Sequence, residues 1–278
     1  MESLRDLQML AETEFSIEDT RRDLGDIVKF FKEQEYHDEM MQLIVVQERK
    51  LSMEIAEESD IFFIDEDLSI LDFPEEWHAE ALGMVRFNHF VFAGRLVYPV
   101  KDVRGQVMGM CGWDKFFKPK YLDSRNHGYK AKETSFYGME KLSEYYSSNK
   151  KIYVVEGIVC CLYLRMKGFY AIALLGSSIT SYVYMILKRI ERRLIFIPDN
   201  DVVGKAAEDI AKGKPAGEHF VKQAKRLFPL ATVIQSKVAK DVDDTRLLDE
   251  GKYEDQFLAD LNYVGENPFI VSDLISIR

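Results

Sequence analysis

The residues best placed to do chemistry in this chain are carboxylates. Asp199 and Asp201 are separated by one residue, and so are Asp241 and Asp243. In an extended segment residues i and i+2 face the same side, so each pair can present two carboxylates to one point. Glu156 follows a third apolar run, Ile152–Val155. Crowded carboxylates raise one another's pKa and cost Coulomb energy. A divalent cation is the usual compensation, and an oxygen-only donor set suits magnesium or manganese rather than zinc. Two such ions suit in-line phosphoryl transfer, because they stabilise the attacking and the leaving oxygens. Either Asp-x-Asp pair alone is also an ordinary turn or helix-capping pattern. Their recurrence at successive strand ends is what points to a metal site.

The elements that must position these acids read as alternating strands and helices. Apolar runs at Ile152–Val155, Tyr170–Leu175, Arg193–Pro198 and Ala231–Gln235 are strand-like. Helical patterns fall between them at 159–167, 182–189, 203–211 and 218–227. Buried β-branched runs spaced by helices predict a doubly wound parallel sheet, whose ligands gather at the carboxyl ends of the strands. Upstream, Arg95–Val100 and Gln106–Met110 flank a turn at Lys101–Gly105 and predict a β-hairpin. Gly109 and Gly112 suggest a close backbone approach or a bulge. The first eighty residues read as mostly helical. A capping pair at Ser16 and Asp19 opens one helix through Phe31, and a second runs from His37 to about Glu57. Residues 60–80 are acidic, with Phe62, Phe63, Ile64 and Phe73 interspersed, and read as a short strand and turn at no fixed place, a helical cap or a surface for a partner protein.

The 278 residues are 47% hydrophobic, enough for one large domain or two smaller ones. No apolar run is long enough for a transmembrane helix, and Met1–Leu10 does not read as a signal peptide. Three cysteines, Cys111, Cys160 and Cys161, suggest free thiols in a reducing cytoplasm, and five scattered histidines exclude a His-rich metal motif. The net charge of −10 conceals an uneven distribution: −17 over residues 1–80, +6 over 81–150 and +1 over 151–278. A local basic segment is what phosphate binding needs, whatever the global charge.

Val154-Val-Glu-Gly157, Leu175-Gly-Ser-Ser-Ile-Thr180, Asp199-x-Asp-x-x-Gly-Lys-Ala206 and Lys240-Asp-x-Asp243 together resemble the TOPRIM domain of DnaG-type bacterial primases. Upstream, Gly94–Val100, Asp102–Gly105 and Val107–Gly109 resemble that family's basic strand pair. Pro119-Lys-Tyr-Leu-Asp-Ser124 is similar to its Pro-Lys-Tyr-Leu-Asn-Ser motif, and Lys132 with Phe136-Tyr-Gly-Met139 to its next stretch. The resemblance covers roughly residues 86–252. It implies four regions: an acidic, mainly helical 1–85, a basic α+β subdomain 86–150, a TOPRIM catalytic domain 151–247 and a short tail 248–278. It implies Glu156, Asp199 and Asp201 as catalytic residues, and these three with Asp241 and Asp243 as ligands for two Mg2+ or Mn2+ ions, with no zinc. Arg95, Lys120 and Lys132, with Arg104 and Lys205 as weaker candidates, are implied to bind DNA or nucleotide phosphates. The implied activity is synthesis of short RNA primers on single-stranded DNA from nucleoside triphosphates, in a bacterial cytoplasm, with a replicative helicase or other replication protein as partner and no membrane.

The sequence also departs from that pattern. The family's Glu-Gly-x-x-Asp is Glu156-Gly-Ile-Val-Cys160 here. A thiol beside carboxylates has a raised pKa and is a poor magnesium ligand; alternatively Cys160 simply packs its helix. Neither the family's zinc-binding domain nor its helicase-binding extension is expected in these residues. That compactness suits a bacteriophage or mobile element, with template choice left to partners or to the acidic N-terminal region. The competing functions are a TOPRIM nuclease and a non-catalytic primase-like protein that binds DNA or the replisome.

Overall fold

The computed structural model describes residues 17–68, 84–86, 89–116, 118–124, 135–200, 216–234, 240–247 and 254–266. The capping contact expected at Ser16, the helix expected over 203–211, and Asp201, Lys132 and Lys205 lie outside them. The chain divides into two compact units, residues 1–131 and 132–278.

Unit one is built on an antiparallel sheet. Its elements are helices α1 (Ile17–Lys32), α2 (His37–Met41) and α3 (Met53–Glu58), then strands β1 (Phe62–Ile64), β2 (Val85–Arg86), β3 (His89–Phe90), β4 (Arg95–Lys101), β5 (Val107–Trp113) and β6 (Tyr121–Asp123). Helix α1 buries Leu24, Ile27, Val28 and Phe31, the i, i+3, i+4, i+7 stripe of a helix lying on a core. That stripe packs on Phe62, Ile64, Val97 and Met110 of the sheet, with Phe31 stacked on Phe62 at 5.3 Å between ring centroids. The sheet order is β1-β4-β5-β6, so the three-residue strand at Phe62–Ile64 joins the expected hairpin. At Gly112 a Cβ would strike the Phe92 ring and come within 3.1 Å of Arg95 Cδ, which is the close approach the glycine suggested.

The helix expected from His37 to Glu57 is broken. Residues Gln42–Glu48 form a π-helix, Lys50 has φ +51°, and Ser52 Oγ accepts the Ile55 N–H at 3.3 Å to start α3. Two causes combine. The β-branched Ile44-Val-Val46 run fits a helix poorly, and Ser52 is a stronger helix opener than interior residue.

Unit two is the parallel sheet. A 3-10 turn at Met139–Lys141 leads to α4 (Leu142–Ser147), β7 (Ile152–Val155), α5 (Ile158–Met166), β8 (Tyr170–Ala173), α6 (Ser181–Leu187) and β9 (Leu194–Ile197). There follow α7 (Ala216–Leu227), β10 (Thr232–Val233), α8 (Val242–Leu247) and α9 (Glu254–Glu266). Strand order is β10-β9-β7-β8, all parallel. Strands β7 and β9 are buried at every residue, as a sheet covered on both faces requires. One face packs Val154 and Phe196 against Val183, Leu187, Phe220 and Phe228. The fourth strand is shorter than the Ala231–Gln235 run, pairing only at Thr232 and Val233, although Ile234 N–H still reaches Phe196 O at 2.8 Å. Phe136-Tyr-Gly-Met139 forms the sheet's border: Phe136 is fully buried, and Tyr137 makes an isolated antiparallel bridge to Ala173 of β8.

Candidate active site

The parallel register sets the acids. Val155 ends β7 beside Ile197 of β9, so Glu156 and Asp199 leave adjacent strands. Glu156 is 9% exposed, and its Oε1 accepts the Asp199 N–H at 3.0 Å. The Asn200 N–H donates to Lys240 O at 2.5 Å, tying the β9 exit to the segment that opens α8. Asp241 caps that helix: its Oδ1 accepts the Asp244 N–H at 2.9 Å, three residues on, as an N-cap does. The capping pattern and the acidic cluster are therefore one structure, since the capping residue is also a member of the cluster. Lys240 Nζ lies 3.9 Å from Asp199 Oδ2 and 4.0 Å from Asp241 Oδ2. Residue type and spacing assign Lys240 no role; its position directly before Asp-x-Asp is the available signal.

Cys160, on α5, is 5% exposed. Burial pushes its thiol well above the ordinary value, and the charges of Asp241, Asp199 and Asp243 push it further, against the Asp243 backbone N–H that donates to it. Helix α5 packs on α8, which brings the thiol to these acids. Cys160 is thus a buried residue of α5 whose thiol is held in its neutral form beside Asp199, Asp241 and Asp243.

The donor chemistry fits a hard divalent cation, because Glu156, Asp199, Asp241 and Asp243 supply only oxygens. Among the described residues no three His, Cys, Asp or Glu side chains are close enough to hold an ion. Asp201, the partner of Asp199, is not among them.

The basic candidates of unit one separate into two places. Arg95 is 6% exposed, and its Nη1 donates to Pro119 O at 3.1 Å. It braces the β5–β6 loop that carries the exposed Lys120. Arg104 sits at the other end of the same hairpin, in a turn closed by Asp102, whose Oδ1 accepts the Arg104 and Gln106 N–H groups. Strand β4 spans seven residues, so the two ends are roughly 20 Å apart at strand rise. The structure brings Arg95 and Lys120 together and leaves Arg104 apart from them.

Glu156 and Asp199 thus leave adjacent strands of a helix-flanked parallel sheet. No protein-family model matches the chain. In sequence it is 32% identical over 119 residues to the DNA primase of Legionella pneumophila, a match covering 42% of this chain and 21% of that protein. It is 29% identical over 177 residues to the DNA primase of Haemophilus influenzae, covering 58% of this chain and 30% of that one. In fold it superposes on a DnaG catalytic core with a TM-score of 0.68 at 22% identity, over 88% of this chain and 79% of the other. The E. coli primase catalytic core gives 0.68 at 20% identity, over 87% and 79%. The chain is related in sequence to DNA primases and has the fold of the DnaG catalytic core. Its match spans less than a third of the length of those two curated relatives.

Proposed function

We propose that this chain is a primase core that joins ribonucleotides on a single-stranded DNA template. The observation that carries this reading is the gathering of Asp199, Asp241 and Asp243 around the buried Cys160, with Glu156 held on the Asp199 N–H, in a fold shared with the DnaG catalytic core. A solved neighbour of the same fold, a DnaG primase catalytic domain, is described as bound to ssDNA. In the reaction a 3′-hydroxyl oxygen attacks the α-phosphorus of a nucleoside triphosphate, a phosphodiester bond forms and pyrophosphate leaves. Bound at these carboxylates, Mg2+ or Mn2+ would supply charge stabilisation to the attacking and leaving oxygens.

The protein's own part is positioning. The Asp199 N–H fixes Glu156, the α8 cap fixes Asp241, and Lys240 offsets charge between Asp199 and Asp241. Asp201 and Lys205 extend the same acidic segment by sequence, and Lys132 is proposed with Lys120 as a phosphate contact. A replicative helicase or other replication protein is the proposed partner, in a bacterial or phage-infected cytoplasm. Among the described residues no helix is long and apolar enough to cross a membrane.

The test is incorporation of labelled ribonucleotides on single-stranded templates, with Mg2+ or Mn2+. Template-dependent RNA of a few nucleotides is the expected product. Cleavage of the template without synthesis would replace this reading with a nuclease, and neither activity would leave a binding protein.

A further inference from the structure

The loop between β5 and β6, residues 114–120, carries chemistry that the acidic site does not use. We propose that Phe116 is a stacking platform for a base of single-stranded nucleic acid, with Lys115, Lys118 and Lys120 meeting the phosphates on either side. The inference rests on the single-stranded DNA reading above and adds the residue that holds a base.

Phe116 is 81% exposed, more than any other large hydrophobic side chain among the described residues. One exposed apolar residue is ordinary on a protein surface, so exposure alone carries nothing. What sets this ring apart is that its backbone is fixed. The Asp114 N–H donates to Lys120 O at 3.0 Å and closes the loop. Asp114 Oδ1 accepts the Phe116 N–H at 2.5 Å. From beneath, the buried Arg95 guanidinium donates to Pro119 O. Trp113, the last residue of β5, lies under the Arg49 guanidinium at 4.5 Å. The ring is therefore presented from a braced loop at the end of a sheet.

Charge selects the occupant. Lys115-Phe-Phe-Lys-Pro-Lys-Tyr-Leu122 contains three lysines and no acid. Lys115 Nζ lies 5.5 Å from the Phe116 ring centroid and 3.9 Å from Glu48 Oε2; Lys118 and Lys120 are exposed, and Tyr121 follows at 41%. Among the described residues of the loop, Phe116 and the part-exposed Tyr121, set among cations, do not make the contiguous apolar patch of a protein interface. They do match single-stranded nucleic acid, in which every base offers a π-face and every linkage a negative charge. Stacking of that kind tolerates any base, as a template-reading protein requires.

The experiment is anisotropy of labelled single-stranded oligonucleotides with the full chain, titrated over a range of salt, for wild type, Phe116→Ala, Phe116→Leu, Phe116→Tyr and Lys120→Ala. Thermal melts check that each variant is folded. Phe116→Ala and Phe116→Leu are expected to weaken binding about tenfold with an unchanged salt slope, and Phe116→Tyr to keep wild-type affinity. Lys120→Ala is expected to lower the salt slope by about 0.7. An oligonucleotide of abasic residues should erase the difference between wild type and Phe116→Ala. Wild-type affinity in Phe116→Ala overturns the proposal, as does wild-type affinity in Phe116→Leu, which would make the contact merely apolar. If Phe116 is silent while Lys120 matters, stacking alone falls. If wild-type protein binds no single strand at all, the DNA reading falls with it.

Discussion

The β5–β6 loop of unit one and the strand exits of unit two both gather charge, and they do so in opposite ways. In the loop the charges are lysines, held in water at the ends of long side chains, while the backbone beneath them is locked by Asp114 and Arg95. At the strand exits the charges are short carboxylates attached directly to a backbone whose register is set by β7 and β9. A flexible polyanion can be held by cations that move with it, because a phosphate contact positions without demanding exact geometry. Phosphoryl transfer cannot be run that way, since misplacement by about 1 Å can cost about a hundredfold. Short side chains on a parallel sheet deliver that precision, and long ones on a loop do not.

The sharpest way to break this contrast is to remove one charge from each side. Asp199→Asn should lower primer synthesis by about a thousandfold or more while leaving the melting temperature within a few degrees. Lys120→Ala should lower template binding only severalfold at moderate salt. Nucleotide incorporation under single-turnover conditions measures both, and comparable losses from the two variants would dissolve the distinction.

Unit two also holds a charge of a different kind. Arg165 is nearly buried on α5. Its Nε donates to Ala171 O at 3.1 Å and its Nη1 meets Glu140 Oε1 at 3.2 Å, while Gly138, at φ +98°, leaves room for the guanidinium. This pair ties the Phe136–Met139 stretch to the sheet. Arg165→Met should destabilise the protein by about 3–5 kcal/mol, because it strands Glu140, and Arg165→Met with Glu140→Leu should recover much of that. Urea unfolding measures it. A double variant no better than the single would mean that shape, not charge, holds the stretch in place.

Legibility in the sequence follows the same division. The parallel sheet was readable because β7 and β9 are short, fully buried β-branched runs, and runs of that kind have few other uses. The hairpin was readable from the turn at Lys101–Gly105. The helix after His37 was not, because apolar spacing through Leu43, Ile44 and Leu51 looks continuous; only Ser52 marks the restart. Glu156, Asp199 and Cys160 were legible as neighbours because strand exits converge in any such sheet. Lys240 and the bracing role of Arg95 were not. Both depend on where a long side chain ends, and residue spacing does not encode that.

Cys160 tests how much charge the acidic side can carry. Cys160→Asp would add a carboxylate to a buried position already facing Asp199, Asp241 and Asp243. Without divalent cations it should lower stability by about 2–4 kcal/mol, and magnesium should restore most of the loss. Activity of the wild type should be better supported by manganese, which tolerates a softer neighbour, and the aspartate should move the optimum towards magnesium. Thermal melts with and without each ion, beside activity titrations, separate the outcomes. A destabilised variant that no cation rescues would make the cysteine a packing residue alone.

The smallest effect belongs to unit one, where Asp60 joins two lysines. Its carboxylate meets Lys32 Nζ at 2.7 Å and Lys101 Nζ at 2.6 Å. Burial opposes the charged form, but the hydrogen bonds and charges of Lys101 and Lys32 outweigh it and hold Asp60 below its ordinary value of 3.8. A carboxyl depressed on folding contributes stability that is full above its unfolded pKa and fades as pH falls through its folded one. Asp60→Asn should therefore cost a constant amount from pH 7 down to about pH 5, and progressively less as pH falls below the ordinary value of 3.8. The side chain is 38% exposed, so solvent screening keeps the neutral-pH cost below about 1 kcal/mol. Asparagine suits the test because Asp60 has φ +54°, a conformation asparagine tolerates as well as aspartate does. Urea unfolding at a series of pH values measures the difference. If it did not shrink towards the acid end of the series, the loss would come from the amide's fit and not from charge.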